Sequence, residues 1–256
     1  MESSIAFPEQ LLQQFRQARH VVVLTGAGIS AESGVPTFRD AQTGLWARFR
    51  PEELASPEAF RRDPRLVWEW YAWRRDLVAS VSPNPGHLAL VELEKRFPVF
   101  TLITQNVDGL HQRAGSGARF PVIELHGNLQ RTKCFEDGQI VESWDENGEL
   151  PPRCPRCSGL LRPDVVWFGE LLPSEALDAA FAAAGACDLF LSVGTSALVE
   201  PAASLPFRAL AAQIPVVEIN PNPTPLSSLA TYVLSGPAGE LLPALVQALW
   251  PASGDA

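Results

Sequence analysis

Val21-Val22-Val23-Leu24-Thr25-Gly26-Ala27-Gly28-Ile29-Ser30-Ala31 runs from an apolar strand-length segment straight into a glycine-punctuated turn. The segment is apolar on both faces, as in a parallel strand covered by helices. The turn matches G-x-G-x-x-A in a strand-to-helix context, the phosphate-cradling turn of dinucleotide-binding folds. Glycines there let backbone approach a pyrophosphate, and the following helix turns its N-terminus toward the anion. Taken alone, the turn also fits a glycine-rich connection with no ligand. The acidic residue that dehydrogenases place about 20 residues downstream, at the end of the second strand, is missing, which disfavours an ordinary dehydrogenase.

Further short apolar runs, punctuated by Gly, Asn or Pro, cover 100–103, 122–125, 189–193, 216–219 and 232–234. Helical patterns cover 85–96, 174–184, 202–213 and 240–250, the first opening on Asn84-Pro85, a cap residue and an N1 proline. Strands alternating with helices predict an α/β fold with a doubly wound parallel sheet, Rossmann-like. Two stretches interrupt the alternation. Residues 41–83 hold no good strand but two helix starts, Ser56-Pro57 and Asp63-Pro64. Residues 128–165 are loop-rich and hold three of the four cysteines. The expected organisation is therefore a discontinuous Rossmann-like domain of 1–40, 84–127 and 166–256. A small domain is built from the helical insertion 41–83 and a zinc-ribbon-like insertion 128–165.

The 256 residues carry a formal charge of -9, with 46% hydrophobic and 19% charged residues. This is a globular composition, and its acidity argues against non-specific nucleic-acid binding while favouring basic, lysine-rich partners. No run approaches a membrane span, and residues 1–10 have no basic cluster of a secretory signal. A cytoplasmic protein is expected, with Cys154-x-x-Cys157 read as metal or redox chemistry and not as a disulfide.

The glycine turn continues as Glu32-Ser33-Gly34-Val35-Pro36-Thr37-Phe38-Arg39. Thr104-Gln105-Asn106-Val107-Asp108-Gly109-Leu110-His111, Glu124-Leu125-His126-Gly127, Pro-Asp-Val-Val-Trp-Phe-Gly-Glu at 163–170 and Gly194-Thr195-Ser196 follow in order. Together these resemble the sirtuin family of NAD-dependent protein deacylases over nearly the whole chain. The chain departs from the family's pattern in Asn220-Pro221-Asn222, at the third position.

The resemblance implies residue roles. Gly26, Ala27, Gly28, Ser30, Thr37, Phe38 and Arg39 would surround the phosphates and nicotinamide ribose of NAD. Gln105, Asn106 and Asp108 would hold the ribose and the carboxamide. Gly194, Thr195, Ser196, Asn220 and the backbone at Ala238 would meet the adenosine side. Without the family, Asn220 reads equally as a strand-end turn residue. His126 would be the catalytic base with Asn106 beside it; the reaction needs a base that titrates near neutrality, and histidine supplies one. A lone histidine at a strand end is otherwise often structural, and His111, trailing its motif on a helix, reads as structural. His20 and His87 carry no motif. Val166, Phe168, Gly169 and Glu170 lie in the extended segment that in the family pairs with an acylated-lysine protein as an added strand.

Two features concern specificity and metal. Tyr71 and Arg74 are three apart and share a helical face. Helix packing among Trp68, Trp70 and Trp73 would account for them, but the pair also resembles that of sirtuins removing succinyl and malonyl groups. A buried acyl carboxylate must be paired, and arginine offers a planar fork while tyrosine adds a donor. Cys134, Cys154 and Cys157 fall at the spacing of a family zinc site, with Asp137 where a fourth cysteine usually stands. Three thiolates and a carboxylate can hold zinc; a decayed, metal-free site is the other reading. The expected activity is NAD-dependent removal of succinyl, malonyl and acetyl groups from lysine. The alternatives are a plain deacetylase, a protein ADP-ribosyltransferase, or a non-catalytic NAD-sensing module, the last disfavoured by the presence of His126 and Asn106.

Overall fold

A computed structural model describes residues 5–36, 51–145 and 148–251. In chain order the strands are β1 (His20–Thr25), β2 (Val99–Thr104), β3 (Ile123–Glu124), β4 (Gly127–Cys134), β5 (Leu161–Val165), β6 (Leu189–Val193), β7 (Val216–Asn220) and β8 (Tyr232–Ser235). The helices are α1 (Glu9–Gln17), α2 (Ala27–Ala31), α3 (Pro51–Leu54), α4 (Pro57–Arg62), α5 (Pro64–Ser80), α6 (Pro85–Arg96), α7 (Leu110–Ala114), α8 (Ser174–Ala184), α9 (Ser204–Ala211) and α10 (Ala238–Leu249).

Six strands form a parallel sheet in the order β3-β2-β1-β6-β7-β8. Alternation along β1 explains the two covered faces. Val21 and Val23 pack with α1, α6 and α10, while Val22 and Leu24 pack with α8 and α9. The chain reverses its direction of winding between β1 and β6, so a crevice opens beyond their carboxyl ends, where such sheets bind ligands.

Local signals set most boundaries. Ser56 and Asp63 accept the amides of Ala59 and Leu66, starting α4 and α5 with a proline in each first turn. Asn84 caps α6 in a reciprocal box with His87. Helix α9 is shorter than the 202–213 pattern. Pro206 lacks an N–H, so it fits the first turn of a helix starting at Ser204 but would break one begun at 202.

The cysteine-bearing stretch contains structure that the sequence pattern did not reveal. Strands β4 and β5 form an antiparallel pair, with a register shift between Asn128 and Thr132 that sets Pro163 opposite Thr132. Gly127 opens the pair at φ +79, and a Cβ there would collide with the Asp164 carbonyl oxygen. One core, including Phe60, Val67, Trp70, Tyr71, Leu129, Val165 and Trp167, joins this ribbon to α4 and α5. A smaller one gathers Trp68, Cys134, Val141, Cys154 and Leu161. No helix among the described residues is long and apolar enough to cross a membrane.

Candidate active site

The crevice is built from three loops at the carboxyl ends of β1, β2 and β6. The glycines hold two of these loops in contact. Gly26 donates to the Val193 carbonyl at 3.0 Å and Gly28 to the Gly194 carbonyl at 2.8 Å. A Cβ on Gly28 would lie 2.7 Å from Gly194 Cα, and Gly194 itself has φ +60. The immediate reason for these glycines is backbone against backbone, which only glycine permits.

From β2, the Asn106 amide nitrogen donates to the Gly26 carbonyl at 3.0 Å and to Ser30 Oγ at 3.1 Å. Ser30 donates onward to Asp108 Oδ2 at 2.8 Å, and Asp108 Oδ1 accepts the Leu110 amide. Burial pushes the Asp108 carboxyl above its ordinary range, while Leu110, Ser30 and the Arg74 charge pull it back. Gln105 Nε2 donates to Thr195 Oγ1 at 3.0 Å, and Asn220 Nδ2 to the Thr195 carbonyl at 2.8 Å, tying the ends of β2, β6 and β7. Ser196 is half-buried beside them. Ala238 begins α10, where the Gly239 amide is taken by Glu32. The structure thus gathers Gly26, Ala27, Gly28, Ser30, Gln105, Asn106, Asp108, Gly194, Thr195 and Asn220 into one bonded array. Thr37, Phe38 and Arg39 lie outside the described residues.

His126 sits in the turn between β3 and β4, where the large sheet hands over to the ribbon. Its Nδ1 lies 2.8 Å from the Gln105 carbonyl. A carbonyl only accepts, so Nδ1 carries the proton and Nε2 keeps its lone pair. Burial lowers the imidazole's pKa despite the opposing Gln105 bond, so the ring is neutral at pH 7. These are the properties of a general base.

His87 and His111 play supporting parts. His111 Nε2 lies 2.9 Å from Thr25 Oγ1, whose hydroxyl donates to Thr104 Oγ1, which in turn accepts the Asn106 amide. His87 Nε2 lies 3.5 Å from Ser30 Oγ, and the two rings are 4.9 Å apart. His87, which no sequence motif marked, therefore belongs to the hydrogen-bonded floor beneath Asn106 and Asp108. Its place in the first turn after Asn84-Pro85 is the signal that could have found it.

Next to this floor, α5 presents Tyr71 and Arg74. Tyr71 is buried, and burial pushes its phenol up to about 12, so it remains protonated. Arg74 is half-buried, with its guanidinium 5.1 Å from the Trp70 ring centroid. Burial lowers its pKa, while the electrostatic pull of Tyr71 and Asp108 raises it.

The extended segment after β5 turns its groups in alternate directions. Val166 donates to the His126 carbonyl and Phe168 to the Ala55 carbonyl, both at 2.9 Å. Phe168 is exposed and Gly169 has φ +86. The Glu170 carboxylate is not free for a partner. It accepts both terminal nitrogens of Arg162 and the Trp167 amide.

Cys134, Cys154 and Cys157 bring their sulfurs within 4.8 Å of one another, and Cys134 Sγ is 3.5 Å from Cys157 Sγ. The cysteines are free. Two thiolates on one tetrahedral zinc, each at about 2.3 Å, stand about 3.8 Å apart, so the cluster fits a structural zinc. Asp137 stands beside that cluster, in a side-chain hydrogen bond with Cys134. Its carboxylate caps the Gln139 amide at 2.9 Å and faces Arg156 at 3.4 Å. Cys187 lies in the core under α8.

Comparison with known proteins agrees with this geometry. The chain is 54% identical over 230 residues to NAD-dependent protein deacylase 2 of Pyrobaculum aerophilum, covering 90% of this chain and 91% of that one. It is 51% identical over 242 residues to NAD-dependent protein deacylase 1 of Pseudomonas aeruginosa, covering 91% and 96%. A crystal structure of a Sir2 homologue in complex with NAD superposes with a TM-score of 0.87 at 46% identity, covering 97% of this chain and 96% of that one. A Sir2 protein bound to an acetylated peptide superposes at 0.82 with 30% identity, covering 95% and 98%. A family model described as Sir2 family matches residues 26–201, well over half of the chain, and the chain belongs to the Sir2 family.

Proposed function

We propose that this protein removes acyl groups from lysine side chains with NAD as cosubstrate, and that the short dicarboxylic groups, succinyl and malonyl, are preferred over acetyl. NAD-dependent deacylation follows from family membership and from the names of the relatives. When bound, NAD would supply an activated ribosyl carbon for the acyl oxygen of the substrate to attack as nicotinamide leaves, and one water would then release the lysine amine; nicotinamide, O-acyl-ADP-ribose and free lysine would be the products. The residues of the chain do the rest. Gln105, Asn106 and Asp108 would hold the carboxamide and ribose. Asn106 is pre-oriented by Gly26 and Ser30, which removes rotamer freedom before binding. His126 Nε2 would accept a proton from a ribose hydroxyl, with Nδ1 anchored on Gln105.

The acyl preference rests on one juxtaposition, Tyr71 and Arg74 on one face of α5, with Arg74 coupled electrostatically to Asp108. A terminal carboxylate entering there would meet a guanidinium and a protonated phenol, replacing the hydration it loses. The substrate would lie as an added strand along Val166, Phe168 and Gly169. The amides of Val166, Trp167, Phe168 and Glu170 are already engaged internally, and so is the Trp167 carbonyl, so the partner strand would bond to the Val166 carbonyl and the Gly169 amide. Zinc held by Cys134, Cys154 and Cys157 would be structural.

A panel of acyl-lysine peptides of one sequence, assayed with NAD by mass spectrometry, tests this reading. Succinyl and malonyl peptides should be turned over with higher kcat/KM than acetyl. Arg74→Met should cut desuccinylation far more than deacetylation, since a hydrogen bond to a charged group contributes roughly 1.5–3 kcal/mol. Equal loss of both activities would mark Arg74 as structural. Nicotinamide release that does not depend on acylated peptide would favour ADP-ribosyl transfer instead.

A further inference from the structure

Trp167 lies one residue inside the peptide-docking segment and points away from it. Val166 and Phe168 stand on the outer side of the alternation; Trp167 is buried among Phe60, Tyr71 and Phe135, at ring separations of 5.3, 6.3 and 6.4 Å. Its indole nitrogen is 2.9 Å from the Tyr71 hydroxyl oxygen. An indole N–H can only donate, so the phenol oxygen must accept. Among the described residues this is the hydrogen bond that the Tyr71 hydroxyl makes, and it uses the oxygen and not the hydrogen. The phenolic hydrogen is thereby left to be donated elsewhere.

The indole is itself clamped. The Arg162 guanidinium carbon sits 3.2 Å from the Trp167 ring centroid. Arg162 is held by both Glu170 oxygens and donates to the Val165 carbonyl at 2.7 Å. Glu170 also accepts the Trp167 amide at 2.8 Å. Ring, backbone and N–H of one residue are each fixed by a separate contact, which gives the indole a single orientation.

We infer that Trp167 is a specificity-positioning residue: by donating to the Tyr71 hydroxyl it commits that oxygen as an acceptor and aims the phenolic hydrogen at the end of the acyl pocket. This rests on the reading of Tyr71 and Arg74 as the acyl-end pair. A succinyl or malonyl carboxylate is acceptor-only and takes the hydrogen; an acetyl methyl leaves it without a partner. A site built to hydrogen-bond one group penalises the analogue that lacks it. The Arg162–Glu170 pair then acts on acyl choice at one remove, through the indole and without contact with the substrate.

The test compares kcat, KM and their ratio for succinyl- and acetyl-lysine peptides of one sequence in four forms of the full chain. These are the unsubstituted protein, Trp167→Phe, Tyr71→Phe and the double variant. A fifth form carries 3-benzothienylalanine at position 167, which keeps the bicyclic shape and replaces N–H by sulfur, so it remains informative if Trp167→Phe folds poorly. The expected result is a fall of about fivefold to tenfold in the succinyl-to-acetyl ratio for either change at 167, carried mainly by a higher KM for the succinyl peptide. In the double variant the ratio should be no lower than in Tyr71→Phe alone, because one hydrogen bond cannot be lost twice. A ratio unchanged by both substitutions at 167, while Tyr71→Phe lowers it, would overturn the role of Trp167 and leave the Tyr71/Arg74 reading standing. A ratio unchanged by Tyr71→Phe would overturn both.

Discussion

At His126 the tautomer follows from a single contact, because a carbonyl at 2.8 Å from Nδ1 leaves only Nε2 as a base. His126→Ala should lower deacylation by about 100-fold to 10,000-fold while leaving the circular dichroism spectrum unchanged. Near-normal turnover by the folded variant would remove His126 from the mechanism. The same contact has a pH consequence. Catalysis needs the neutral ring, and burial lowers the pKa from its ordinary 6.5. The acid limb of kcat/KM should therefore lie below pH 6.5, with a plateau through neutrality. A limb centred above 6.5 would mean that some other group titrates, or that His126 gains a counter-charge in the complex.

At the level of elements, the packing of the β1 and β6 loops is the feature most exposed to test. Gly28 needs no positive φ, so an added methyl acts there by collision alone, 2.7 Å from Gly194 Cα and O. Gly138, at φ +69 with open space around it, isolates backbone strain from collision. Gly28→Ala should cost roughly 1–3 kcal/mol by overpacking. It should also raise the KM for NAD, since Asn106 is bonded to Gly26 in the same loop. Gly138→Ala should cost no more than about 1 kcal/mol and leave NAD kinetics unchanged. Thermal melts and NAD titrations of the two variants decide it; similar losses in both would show that loop contact is not what the glycine serves.

Two features act on the whole molecule. His87 and His111 are buried, which lowers their pKa values to about 4 and about 3, with each ring's neighbour adding to the effect at His111. A histidine with a depressed folded pKa favours the unfolded chain once that chain begins to take up protons. Stability is thus fully present above pH 6.5 and falls as pH drops through 6.5 toward 4 and then 3. Each residue contributes about 1.4 kcal/mol per pH unit in that window. Urea midpoints measured from pH 7.5 to 4.5 should decline, and His111→Gln should flatten the slope by about one proton. An unaltered slope would mean that His111 is protonated in the native state. The second feature is the cysteine ribbon, whose own core among the described residues is Val141 and Leu161 beside the cysteines, with Trp144 and with Trp68 of α5 packed on them. Elemental analysis of protein purified without chelator should give about one zinc per chain, and a strong chelator should lower the melting temperature. Clearly substoichiometric metal in active, stable protein would show that packing against α5 suffices.

Much of this was readable along the chain because it rests on local chemistry. Apolar runs of strand length, Asn84-Pro85, Ser56-Pro57 and Asp63-Pro64 act within a few residues of themselves, so pattern alone announces the parallel sheet and its helices. The ordered motifs carry the family for a similar reason, since each keeps its reacting groups on one short loop. What had to await the folded chain depends on partners far apart in sequence. Strand β4 reads Gly-Asn-Leu-Gln-Arg-Thr-Lys-Cys and β5 contains Pro163, so neither shows a strand pattern; only their mutual pairing, with its register shift opposite the proline, makes them strands. The glycines of the first turn read as a phosphate cradle, yet their closest neighbours come from Gly194, more than 160 residues away. Asp137, placed by spacing beside Cys134, also engages Gln139 and Arg156, partners that no spacing announces. Trp167 and Tyr71 are 96 residues apart, and no periodicity could reveal that an indole N–H fixes which way a phenol points.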